Sequence, residues 1–78
     1  MDNLKKYNQA FIDTFRISED QLQNLQYQSI EAWDSVGHMS LIAALEDAFD
    51  IMFETDDIID FSSYQKGKEL IAKYDVQL

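Results

Sequence analysis

Apolar residues recur along this chain at helical intervals. Leu4, Tyr7, Phe11 and Phe15 fall at three- and four-residue steps, so one face of a helix carries all four. The pattern predicts a first helix from about Leu4 to Phe15, with Asp2 or Asn3 able to cap its start. Ser18-Glu19-Asp20-Gln21 has the form of a capping box with Leu22 and Leu25 behind it, and predicts one short turn of helix. A long connection is expected from about Gln26 to Asp34. Its apolar residues Tyr27, Ile30 and Trp33 are placed to pin it to the rest of the molecule.

A second stripe is made of Leu41, Leu45, Ala48 and Phe49, with Ile42 beside it. It predicts a helix from Ser35 to about Phe49. Asp34 is placed to cap the first turn, where four backbone N–H groups lack partners. Asp56 to Asp60, carrying Ile58 and Ile59, predicts a short third helix. Ser62-Ser63-Tyr64-Gln65 has the form of another capping box. It opens a last helix to about Tyr74, with Tyr64, Gly67, Ile71 and Tyr74 along one side. A glycine inside a helix costs about 1 kcal/mol relative to alanine, so Gly67 predicts a close helix crossing. The expected architecture is all-α, a single domain over residues 1–78 built as a four-helix bundle with a short third helix.

Composition supports this and removes several function classes. The chain has 78 residues, no proline and two glycines, and its 46% hydrophobic content suffices for one core. The absence of cysteine excludes a disulfide scaffold and a thiolate metal site, and the single histidine, His38, leaves no zinc pattern. Asp50 to Asp60 lacks the spacing and the turn glycine of a calcium loop. Only loose association with divalent cations is expected there, and no metal site. Fifteen acids against six bases give a net charge of −9, and no Lys or Arg lies between Arg16 and Lys66. Such a surface repels phosphate backbones, so nucleic-acid binding is not expected. It attracts basic patches on partners. The N-terminal residues lack the apolar stretch of a signal peptide, and no apolar run approaches the ~18 residues of a membrane span. A soluble, cytoplasmic monomer without a membrane span is expected.

The segment that carries candidate chemistry is Trp33-Asp34-Ser35-Val36-Gly37-His38-Met39. It puts a serine hydroxyl at the first residue of a helix after a long loop. A helix N-terminus presents unpaired N–H groups and the positive end of a dipole, and stabilises an attached phosphate ester. Asp34 caps that helix but also repels an anion on Ser35. Ser35 and His38 are three apart and share a face. A catalytic pairing is disfavoured, because Trp33 stands where a G-x-S-x-G elbow needs glycine and the chain is too short for a hydrolase sheet. A helix-start serine with no chemistry, on an unmodified acidic helical protein-interaction module, is the competing interpretation.

Asp34-Ser35-Val36 resembles the Asp-Ser-Leu motif of acyl carrier proteins. Leu41, Ile42, Leu45, Glu46, Asp47, Phe49 and Asp50 follow Ser35 at that family's spacing, and Phe61-Ser62-Ser63-Tyr64 is similar to its approach to the last helix. The resemblance covers nearly the whole chain. It implies a four-helix bundle of acyl-carrier type with 4′-phosphopantetheine on Ser35, attached from coenzyme A by a phosphopantetheinyl transferase with Mg²⁺. It further implies an acyl or aminoacyl thioester on the arm, and a carrier that catalyses nothing itself. Implied partners are that transferase and an acyl or aminoacyl ligase, or an acyltransferase, with a basic docking patch. The implied recognition residues are Glu46, Asp47 and Asp50, the apolar Val36 and Met39, and Asp56 and Asp57 around the third helix. The family's core can part for an acyl chain, which would place Leu41, Leu45, Ile58 and Ile71 near it. Gly37 and Ser40 stand where fatty-acid carriers usually have acids, and Glu54 where proline is usual. Those departures, with Trp33 and His38, resemble dedicated stand-alone carriers serving a small pathway.

Overall fold

The computed structural model describes residues 2–78. Its elements run α1 (Asn3–Phe15), a 3₁₀ turn (Glu19–Gln21), α2 (Ser35–Phe49), α3 (Thr55–Asp60) and α4 (Tyr64–Ala72). The described residues form an all-α bundle of four helices with a short third one. Among the described residues no helix is long and apolar enough to cross a membrane.

Local chemistry sets most of the boundaries. Asp2 caps α1, its carboxylate accepting from the Leu4 N–H at 3.1 Å. The α1 helix ends at Arg16 and α2 at Asp50, both in the left-handed region with φ of 56° and 54°. At the 3₁₀ turn the Gln21 side chain accepts from the Ser18 N–H at 3.0 Å.

The last helix departs from its expected limits. Its cap is Ser63 and not Ser62, with the hydroxyl accepting from the Lys66 N–H at 2.9 Å. The reason lies in the long loop. Tyr27 N–H donates to the Ser62 carbonyl at 2.8 Å and Tyr64 N–H to the Leu25 carbonyl at 3.0 Å. This short extended pairing, with Gln26 opposite Ser63, holds Ser62 outside the helix. Gln65, expected to complete the box, instead donates to the Gln23 side chain at 2.7 Å. At the other end α4 stops at Ala72, and Tyr74 follows in a tighter turn.

The α2 stripe is also rotated from expectation. Leu41, Ile42 and Leu45 are fully buried, whereas Ala48 and Phe49 are half-buried. Ala48 borders the groove between α1 and α2, and the Lys6 ammonium covers the Phe49 ring at 5.4 Å.

The core is strongly aromatic. Phe11 stands at its middle, with the rings of Tyr7, Phe15, Trp33, Phe61 and Tyr64 centred 5.0–6.2 Å away. A Cβ on Gly67 would lie 2.2 Å from both the Phe61 ring and the Tyr7 hydroxyl, so the close approach predicted for this glycine is present. The buried Tyr7 hydroxyl donates to the Tyr64 carbonyl at 2.7 Å. Burial, and secondarily Tyr64, pushes its ionisation far above the ordinary range.

Candidate functional site

The site grows from the start of α2. Asp34 has extended backbone geometry and its carboxylate accepts from the Gly37 N–H at 2.8 Å, while its carbonyl accepts from the His38 N–H at 2.7 Å. Asp34 is therefore the N-cap that the sequence predicts, and it fixes where the helix begins. Ser35 follows as the first helical residue, with an exposed side chain. Its neighbours Val36 and Met39 are 74% and 52% exposed, so the surface around the hydroxyl is apolar.

Gly37 explains how the loop reaches this position. A Cβ there would sit 1.9 Å from the Ala32 carbonyl oxygen and 3.3 Å from the Phe15 ring. Only a residue without a side chain lets the loop backbone lie so close on the first turn of α2. The next loop residue, Trp33, is fully buried and stacks on Phe15, with ring centroids 5.2 Å apart. Tyr27 and Ile30, expected to pin the same loop, do so more weakly: Tyr27 is exposed and Ile30 half-buried.

A groove of about 360 Å³ opens beside Ser35. Ser35, His38 and Met39 border it from α2, Ile58 and Ile59 from α3, and Tyr27, Phe61 and Ser62 from the connecting segments. His38 is drawn in among its neighbours and does not project into solvent. It is half-buried, with Nδ1 2.9 Å from the Trp33 indole nitrogen and Nε2 2.7 Å from the Ile58 carbonyl oxygen. The pattern did contain a signal: His38, Leu41 and Leu45 share one helix face, and the two leucines are core.

The acids expected to form one recognition face are divided. Asp50 and Asp56 are exposed. Asp47 is exposed too, but it borders the α1–α2 groove with Lys6 and Asp13, away from Ser35. Glu46 is half-buried, and its carboxylate accepts from the Phe53 N–H at 2.9 Å, which ties the α2–α3 loop to α2. Asp57 is a correction. Its side chain is 6% exposed and pairs with the Lys73 ammonium at 2.7 Å, and it also accepts from the Tyr74 hydroxyl. The bond to Lys73, then that to Tyr74, holds its carboxyl below the ordinary value. An inward, paired carboxylate is a structural clamp between α3 and α4, not a surface acid. The α2 acids also stand apart from Ser35 along the axis, since 11 to 15 residues of helix span roughly 16–22 Å.

Of the residues tied to a sheltered acyl chain, Leu41, Leu45 and Ile71 are fully buried in the packed interior, and Ile58 is half-buried at the groove. Among the described residues no group of three or more His, Cys, Asp or Glu side chains is arranged to hold a metal ion. Comparison with protein-family models, with curated proteins and with solved structures finds no match.

Proposed function

We propose that the chain is a stand-alone acyl or aminoacyl carrier, with 4′-phosphopantetheine esterified to Ser35. The observation that carries this reading is an exposed serine hydroxyl, first in a capped helix, at the mouth of an apolar groove. The residues present suit such an arm. The hydroxyl is open to a transferase, and a helix start with unpaired N–H groups favours an anionic ester. The apolar groove wall offers a surface on which part of the arm can rest. Once bound, the arm would supply a terminal thiol that holds cargo as a thioester.

This chain's own residues act by presentation. Asp34 sets the first turn of α2, Gly37 lets the loop lie flat behind it, and Trp33 anchors that loop in the core. Val36, Met39 and the 71%-exposed Ile59 form the apolar ground around the serine. Asp47, Asp50 and Asp56 supply exposed negative charge for a basic partner, where complementary potential raises the association rate more than the affinity. Charge and exposed apolar side chains alone would also suit an unmodified interaction module, so the decisive observation is covalent. Incubation with coenzyme A, Mg²⁺ and a broad-range phosphopantetheinyl transferase should add the mass of one phosphopantetheine group. Ser35→Ala should abolish the gain. No gain with several transferases would leave the interaction module as the better account.

A further inference from the structure

His38 makes two bonds of opposite sense. An indole N–H only donates and a carbonyl only accepts. A single protonation state therefore satisfies Trp33 and Ile58 together: a neutral ring, bare at Nδ1 and protonated at Nε2. The ring lies nearly parallel to Trp33, at 16°, and Tyr27 and Phe61 stand edge-on to it. It shares the inward face of α2 with the buried Leu41 and Leu45 and lines the Ser35 groove.

We infer that His38 is a pH-sensitive latch of this groove. Neutral, it holds both the Trp33 loop and the α3 backbone to α2. Protonated, it cannot keep Trp33. A hydrogen on Nδ1 would point at the indole hydrogen across 2.9 Å, and neither can accept. Trp33 is fully buried, so its N–H has no solvent to turn to, and the ring or the loop must shift.

The surroundings give the imidazolium little in exchange. From the loop it meets Tyr27 and Trp33, and from the segment after α3 it meets Phe61. From α3 it meets the Ile58 carbonyl, while Asp57 is turned to Lys73 and Asp56 and Asp60 are exposed. On its own helix Asp34 is engaged with Gly37. Among the described residues the one ion pair is Lys73–Asp57, so no carboxylate pairs with the ring. The Ile58 bond survives protonation, because Nε2 stays a donor. The latch thus opens on its loop side first. What it would govern, the space beside a group carried on Ser35, rests on the carrier reading. The latch itself does not.

The test is an NMR titration of the unmodified chain from about pH 8 to pH 5, the range in which imidazoles change charge. Ring nitrogen shifts at high pH should show the Nε2–H tautomer. The Trp33 indole N–H resonance should move upfield as His38 protonates, with the same midpoint. In His38→Gln the indole resonance should no longer move with pH. An Nδ1–H tautomer, or an indole signal that holds still while the ring titrates, would overturn the inference. Wild-type data alone decide this if the variant fails to fold. Absence of a phosphopantetheine mass gain with a co-titrating indole would remove the carrier and leave the latch standing.

Discussion

Two neighbouring residues of α3 tie it to the rest of the bundle by unlike chemistry. Asp57 uses its side chain, pairing with Lys73 and Tyr74 on the α4 side. Ile58 uses its backbone carbonyl, bonded to His38 on the α2 side. The α4 anchor is a charge pair that stays formed over a wide pH range. The α2 anchor is a single ring N–H to carbonyl bond, and the same ring also accepts from the Trp33 indole. A short helix of six residues has little stability of its own, so these anchors decide how rigidly it borders the Ser35 groove. The side toward α4 is held by a charge pair and a hydroxyl, the side toward the serine by one hydrogen bond through a shared ring.

The contrast can be broken most forcefully at Trp33. Trp33→Ala removes the fully buried ring that His38 and Phe15 hold, and should cost about 3–5 kcal/mol in urea unfolding. A cost under about 1 kcal/mol would show that the α2 side contributes little to the fold. Gly37→Ala comes next. Its methyl group meets the Ala32 carbonyl, and the forced shift of the loop should cost about 1–3 kcal/mol, read by the same denaturation.

The α4 anchor is sharpened by pH. A carboxyl held below its ordinary value near 3.8 contributes stability that is complete above that value. The contribution is lost as pH falls through the lower folded value. Lys73, whose ammonium is held above its ordinary value mainly by the same bond, contributes stability that fades only as strong alkali removes its proton. Asp57→Asn should therefore lower Tm at neutral pH and flatten the acid side of the Tm-against-pH curve. A parallel acid limb in parent and variant would remove Asp57 from that role. The smallest effect on stability is expected at Asp47→Lys, within about 0.5 kcal/mol. That change should slow association with a transferase, more at low salt than at high. Asp47 is the cleaner site for this measurement, because reversing Glu46 would also release the Phe53 N–H.

The backbone of this fold was legible because caps and periodicity agree. Asp34 next to an apolar stripe locates the start of α2, and the Gly67 anomaly foretells its packing against Tyr7 and Phe61. What escaped were contacts between distant segments. Nothing local marks Asp57 as inward, since its partners stand 16 and 17 residues later. The Ser62–Ser63 boundary shifted because the loop at Leu25–Tyr27 takes the backbone groups that a helix would otherwise use. His38 is the instructive case. Its helical phase pointed inward, but nothing local names the Ile58 carbonyl, 20 residues later, as its partner.

The pairing of Leu25–Tyr27 with Ser62–Tyr64 also bears on the order of assembly. It joins parts of the chain made well apart during synthesis, and closing so long a loop is entropically expensive until neighbouring helices have docked. The start of the loop that leads to Ser35 therefore lacks these two bonds until residues 62–64 have been made and have folded back against it.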